Sequence, residues 1–259
     1  MGRATVQALR ARGYGVFALD RKVEPSGDAG VIPIRADLTD AASVASAVAA
    51  VRAVTDRLLA IVHFAGIYML DSLIEIEPAR FEESFRINLG GAFTVNRLFF
   101  PLLGRGSRIL ITTSELAPLD PLPFTGLYGV TKCALDRYAF ALGMELQLLG
   151  ISVSVLRAGA VSTGMLGAST DALTAFCEKT ALYRCNAARF RRIVDSVEAK
   201  SVPPERIAKK VLRILGAKRP AFAYAINRNP LLRLLNLLPK RMQLWAIRLV
   251  LREKEDKHG

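Results

Sequence analysis

Histidine and cysteine are scarce in this chain, and the scarcity closes off several chemistries. His63 and His258 are the two imidazoles, and the three cysteines, Cys133, Cys177 and Cys185, form no C-x-x-C pair. Such a set does not support a dedicated zinc site. An odd number of cysteines leaves at least one thiol unpaired in a monomer, and a reducing, cytoplasmic compartment is the default expectation. Long apolar runs are also lacking: no stretch reaches the roughly 20 residues of a membrane span. Met1 to Arg12 alternates basic and apolar residues and has no continuous apolar region of the kind a signal peptide carries. The formal charge is +13, which would suit phosphate. Yet the basic residues are spread along helical patterns, without a finger, basic-zipper or RNA-recognition signature. Nucleic acid is therefore not the expected partner.

What is present is globular. The 259 residues are 51% hydrophobic and 23% charged, enough to bury one sizeable core, and the expectation is a single domain over 1–259. Gly2 to Arg12 reads as a helix, then Val16 to Leu19 and Val31 to Arg35 as short strands. Asp40 to Val54 is helical and Leu58 to His63 a strand ending in Ala65-Gly66. Pro78 to Leu103 is a long helical region and Arg108 to Thr113 a strand. Tyr128 to Leu149 is a helix, and Ser152 to Leu156 a strand. Strands that are apolar almost throughout and alternate with helices predict a doubly wound, mostly parallel α/β sheet with helices on both faces.

The last third changes character. Residues 163–203 form a long, mostly helical excursion holding Met165, Leu166, Phe176, Tyr183 and Phe190. Ala221 to Ile226 is a last strand. Residues 228–259 are a basic, leucine-rich extension with two short amphipathic helices, punctuated by Arg228, Arg233, Lys240, Arg241, Arg248 and Arg252.

Tyr128 and Lys132 lie one helical turn apart and can share a face. A tyrosine hydroxyl titrates near ~10 and is a poor base at neutral pH, but a nearby ammonium favours the phenolate. Ser114 sits just beyond a strand, where open α/β sheets bind ligands, and a serine there could hydrogen-bond a carbonyl or alcohol oxygen.

The surrounding order resembles the short-chain dehydrogenase/reductase superfamily, a Rossmann-type fold, at five places. These are His63-Phe64-Ala65-Gly66, where the family has N-N-A-G; Asn88 in Ile87-Asn88-Leu89-Gly90; Thr113-Ser114-Glu115; Tyr128-Gly129-Val130-Thr131-Lys132; and Arg157-Ala158-Gly159-Ala160-Val161-Ser162-Thr163. The resemblance implies reversible hydride transfer between a nicotinamide cofactor and an alcohol/carbonyl pair. Tyr128 is then the acid/base and Lys132 lowers its pKa and binds ribose hydroxyls. Ser114 orients the substrate oxygen, Asn88 holds a water in a proton relay, and Thr163 touches the carboxamide end. The same resemblance draws Gly2, Asp20, Arg21, Asp37, Leu38, Ala65, Gly66, Gly159 and Val161 to the cofactor. Asp20 at a strand end favours NAD by accepting bonds from the adenosine ribose. Arg21 next to it could face the 2′-phosphate of NADP. Asp37 reads equally as a helix-cap or turn residue.

The departures carry expectations of their own. His63 replaces an asparagine and reads as a packed core histidine able to make one hydrogen bond. Ala158 replaces a proline. Ser114 to Tyr128 is one residue longer than the commonest spacing, in a loop stiffened by Pro118, Pro121 and Pro123. Gly2-Arg3-Ala4 matches only the tail of the family's glycine-rich turn. The first strand, central between residues 16–19 and 58–63, and most of that turn are expected to lie upstream in an N-terminally longer product. Two functional classes follow: an oxidoreductase for an apolar alcohol or carbonyl substrate under a lid at 163–203, or a non-catalytic protein of the same fold unable to hold the cofactor. The C-terminal extension is expected either on a membrane surface, as a peripheral contact, or in a homo-oligomer interface.

Overall fold

The computed structural model describes residues 1–198 and 200–252, apart from the side chains at 165–170, 185 and 195–198. Met165, Leu166 and Cys185 as side chains, and His258 with the last residues of the C-terminal extension, lie outside that description. Six strands and ten helices are described. The strands are β1 (Val16–Asp20), β2 (Val31–Arg35), β3 (Ala60–His63), β4 (Arg108–Ser114), β5 (Ser152–Ala158) and β6 (Ala223–Ile226). The helices are α1 (Gly2–Arg10), α2 (Ala41–Arg52), α3 (Pro78–Phe85), α4 (Gly91–Phe99), α5 (Gly126–Leu146), α6 (Gly164–Lys179), α7 (Arg184–Glu198), α8 (Pro204–Gly216), α9 (Pro230–Leu237) and α10 (Lys240–Leu251).

All pairings are parallel, in the order β3-β4-β5-β6 with a separate pair β1-β2. Alternation along β4 divides the core between two faces. Ile109 and Ile111 pack with Val153, Val155, Leu135 and Ala139 under α5. Leu110 packs with Leu156, Ile207, Val211 and Ile214 under α8. A third cluster seats α2 and α4 on the β1-β2 pair, through Val44, Val48, Val51, Val95 and Phe99 against Phe17, Leu19 and Ile34. Both faces are covered, as a near-continuous apolar strand requires.

Among the described residues β1 pairs with β2 alone and β3 with β4 alone, so each has one unpaired edge. Ala60, Ile61 and Val62 of β3 are half-buried, while Ile109, Leu110 and Ile111 of β4 are buried. β3 therefore has the accessibility of a strand with one open edge.

α8 is an element the sequence reading passed over. Its buried residues Ile207, Ala208, Val211, Ile214 and Leu215 follow a helical period. The Arg108 guanidinium, from β4, donates to the carbonyls of Ile214 at 3.0 Å and Ala217 at 2.7 Å, and to that of Leu215. A cation at the open carbonyls of a helix end is well placed. The expected long helix from Pro78 is continuous but carries a π turn at Arg86–Gly90 and ends in a 3₁₀ turn at Phe100–Leu102.

Candidate active site

The π turn is the first device of the site. Its extra residue per turn aims Asn88 inward, and Asn88 is buried. The Asn88 side chain accepts from the Ile67 amide at 2.8 Å and donates to the Ile67 carbonyl at 3.0 Å. It also donates to Thr131 Oγ1 at 3.0 Å, and Thr131 in turn donates to the Tyr128 carbonyl at 2.9 Å. Asn88 thus ties the chain leaving β3 to the first turns of α5.

Gly66 lies in that same crossing. A Cβ there would stand 3.0 Å from both Asn88 Oδ1 and Lys132 Nζ, so a side chain at 66 would force those groups apart. Gly159, after β5, has a similar reason: its Cβ would collide with the Asn227 carbonyl oxygen. Its amide donates to the Ile226 carbonyl at 3.0 Å.

Ser114 ends β4, and Tyr128 and Lys132 occupy the first two turns of α5; all three are buried. The Ser114 hydroxyl, which accepts from the Leu116 amide at 3.2 Å, lies near enough to Tyr128 to bear on its titration. Burial pushes the Tyr128 hydroxyl up to about 12; the Ser114 hydroxyl acts against that rise and the Glu115 carboxylate adds to it. Burial likewise pulls the Lys132 ammonium down to about 8. Lys132 Nζ lies 5.8 Å from the centroid of the Tyr128 ring. The expected lowering of the tyrosine by the lysine does not enter here: desolvation dominates and disfavours the phenolate. The Tyr68 ring covers Tyr128, with centroids 4.8 Å apart.

Asp136, one turn beyond Lys132, was missed in the sequence, although its spacing puts it on the same helix face. It is buried and holds Arg157 of β5 by two bonds, of 3.0 Å from Nε and 2.7 Å from Nη2. Thr113 Oγ1 donates to the same carboxylate at 3.2 Å. The pair fixes α5 against the strand ends that carry Ser114 and Gly159. Glu115 was also missed as a site residue. Burial raises its carboxyl, and it accepts from the Asn229 amide at 2.6 Å.

His63 is buried as expected of a packed histidine, and its Nε2 is 2.8 Å from Asn96 Oδ1. Asn96 Nδ2 donates to the Tyr138 hydroxyl at 3.2 Å. Burial lowers the imidazole below its usual range.

The remaining residues drawn to the cofactor are spread along the strand ends. Gly2, at the start of α1, faces Phe64 just past β3. Ala65 is exposed. Asp20 is exposed at the end of β1 and accepts from the Lys22 amide at 3.1 Å. Asp37 accepts from the Thr39 amide at 2.9 Å and the Thr39 hydroxyl at 2.7 Å. It is a turn residue, its carboxyl held low first by those two bonds and further by Arg21 and Arg86. Asp40 is the cap of α2. Leu38 packs under α4 beside Gly91. Val161 is buried and bridges to Val202. Thr163 precedes α6 with an extended backbone.

In the region expected to form a lid, Phe124 lies 4.8 Å from Phe176, 5.3 Å from Tyr183 and 5.4 Å from Phe190, centroid to centroid. Ile247 and Leu251 of α10 pack on the same cluster. These aromatics therefore pack on the domain. Phe124 has φ 62°, a conformation a bulky residue rarely adopts. It is held by the Asp71 amide, which donates to its carbonyl at 2.8 Å, and by its three aromatic neighbours. Two open surface cavities, one at Asp56 and Arg57 and one at Lys209 and Arg213, do not include Tyr128. The described residues hold no cluster of metal-ligating side chains.

The short chain dehydrogenase model matches residues 1–174, more than half of the chain and all four of Asn88, Ser114, Tyr128 and Lys132. The chain belongs to the short-chain dehydrogenase family. The uncharacterized oxidoreductase YbbO of Escherichia coli is 33% identical over 168 residues, 63% of this chain and 62% of YbbO. The chain thus matches less than two thirds of that relative's length. The 3-ketodihydrosphingosine reductase of Bacteroides thetaiotaomicron is 24% identical over 256 residues, 96% of this chain and 93% of that one. A short chain dehydrogenase from Burkholderia cenocepacia, solved in complex with NADP, shares the fold with TM-score 0.72 at 20% identity, covering 97% of this chain and 93% of that one.

Proposed function

We propose that this short-chain dehydrogenase is an NAD(P)-dependent oxidoreductase that interconverts an apolar alcohol with its ketone or aldehyde, with Tyr128 as the acid/base. The carrying observation is the burial of Ser114, Tyr128 and Lys132, with the Lys132 ammonium 5.8 Å from the centroid of the tyrosine ring.

The residues present fit the nicotinamide end of the cofactor. Gly66 leaves the backbone bare beside Lys132, where a Cβ would stand 3.0 Å from the ammonium. Lys132 and Thr163 would hold the nicotinamide end, with Gly66, Gly159 and Val161 as backbone neighbours. Asp20, Arg21, Asp37 and Leu38 would hold the adenosine end. Asp20 favours NAD, and Arg21 is the residue able to meet the phosphate of NADP. When bound, the reduced cofactor supplies the hydride to the carbonyl carbon. The protein supplies the proton. Burial keeps the Tyr128 hydroxyl protonated, so in reduction it can donate to the substrate oxygen while Ser114 hydrogen-bonds that oxygen. Oxidation reverses the transfer. Asn88 holds the backbone at Ile67 in place and, in this reading, a relay water as well.

An apolar substrate is supported by the aromatic surroundings of Phe124 and by the 3-ketodihydrosphingosine named for the Bacteroides relative.

A second reading, a non-catalytic protein of this fold, is favoured by the unpaired edges of β1 and β3. Titration of the purified protein with NADH and NADPH separates the two functional readings. Saturable binding supports the oxidoreductase; no binding to either supports the non-catalytic protein.

A further inference from the structure

α10 meets the rest of the protein through one face and turns another outward. Gln243, Ile247 and Leu251 point in: Gln243 and Leu251 are buried, and Ile247 and Leu251 pack toward the aromatics around Phe124. Met242, Trp245 and Leu249, spaced i, i+3 and i+7, point out. Trp245 is 64% exposed, and neighbouring Leu244 is 73% exposed. α9 adds a second outward row, Leu231, Leu234 and Leu237, with Leu237 81% exposed. Large exposed apolar surface of this extent marks an interaction site.

The charges say what it meets. Residues 228–259 contain eight lysines and arginines against three acids, and all three acids follow α10, at 253–256. Lys240 is engaged by Asp120. Arg241, Arg248 and Arg252 recur along one side of the outward apolar row of α10. A second copy docked face to face would set like charges against like, which is costly. An anionic lipid surface satisfies both features: apolar side chains enter the acyl boundary and guanidinium groups meet the headgroups. No helix among the described residues is long and apolar enough to cross a membrane, so the helices would lie in the interface.

We infer that the outward faces of α9 and α10 form a docking surface for an anionic lipid bilayer. The pair is latched to the loop between Ser114 and Tyr128. Glu115 accepts from the Asn229 amide, the Asp120 amide donates to Asn236 Oδ1 at 2.6 Å, and Lys240 pairs with Asp120. Docking therefore sets the substrate side of the site next to the lipid phase. The inference does not depend on turnover.

Trp245 is the sole tryptophan, so its emission reports the surface directly. The full-length protein is mixed with vesicles of phosphatidylcholine, with or without phosphatidylserine, and followed by flotation and Trp245 fluorescence. The expected result is flotation and a blue shift with the anionic vesicles, reversed by high salt. Arg241→Gln with Arg248→Gln should weaken partitioning about thirtyfold, with unchanged circular dichroism. Leu249→Glu should abolish the blue shift. Absence of flotation and blue shift with anionic vesicles overturns the inference. A Trp245 blue shift that instead follows protein concentration without lipid assigns the surface to a second copy and overturns it equally.

Discussion

Tyr128 and Lys132 are buried one helical turn apart, and burial moves both toward their neutral forms. Near pH 7 the tyrosine is a proton donor and the lysine, at about 8, still mostly carries its charge. Carbonyl reduction should therefore decline as the pH rises through about 8 and Lys132 loses its proton. Lys132→Arg should shift that limb upward, because a guanidinium keeps its charge; a limb that stays near 8 in the variant would assign it to another group. Tyr128→Phe should remove turnover and leave cofactor binding in place. At this scale the sequence was most readable where a side chain must be one residue type: Asn88, Ser114, Tyr128 and Lys132 stand in short motifs and meet around Gly66 and α5. Asp136 was not readable, because a lone aspartate on a helix looks like a solvated charge until Arg157 arrives from β5. Removing one partner of a buried pair strands the other. Asp136→Ala should thus lower unfolding stability by about 3 kcal/mol, measured as a fall in the denaturant midpoint. An unchanged midpoint would contradict the bracing role.

At the scale of elements, β3 carries a titratable core residue. The buried His63 is neutral, and its folded value lies below the ordinary 6.5. Above that value neither state holds the proton. As pH falls through it, the unfolded chain takes up the proton first, so stability falls. His63→Asn should flatten this part of the stability profile, read as the melting temperature from pH 7 downward. An identical slope in the variant would exclude His63 as the source. Strands β2 and β4 and helix α5 were legible from apolar runs and helical patterning to within a few residues. The π turn was not, because Arg86–Gly90 has an ordinary helical sequence and only the burial of Asn88 shows the shifted register. α8 was legible but overlooked; its apolar period, Ile207, Val211, Ile214, is plain once its packing on Leu110 and Leu156 is seen.

At the scale of the whole molecule, the family fold is present, with one unpaired edge on each of β1 and β3 among the described residues, Phe176, Tyr183 and Phe190 packed around Phe124, and a cationic apolar face on α9 and α10. The doubly wound pattern was legible because βα alternation is local. The aromatic cluster was only half legible. Phe176, Tyr183 and Phe190 were visible as an apolar set, but their common neighbour Phe124 lies in the loop between Ser114 and Tyr128 and their backing, Ile247 and Leu251, in α10. These parts converge on the proposed reaction, in which a proton from Tyr128 completes hydride transfer to an apolar carbonyl. The most direct test is a single-turnover experiment in which the purified protein is loaded with NADH or NADPH and mixed with a panel of apolar ketones and aldehydes, beside Tyr128→Phe. The account predicts that the native protein consumes the bound reduced cofactor with at least one carbonyl, while the variant binds the cofactor and consumes none. Consumption by Tyr128→Phe at the native rate, or failure of the native protein to bind either cofactor, would contradict it.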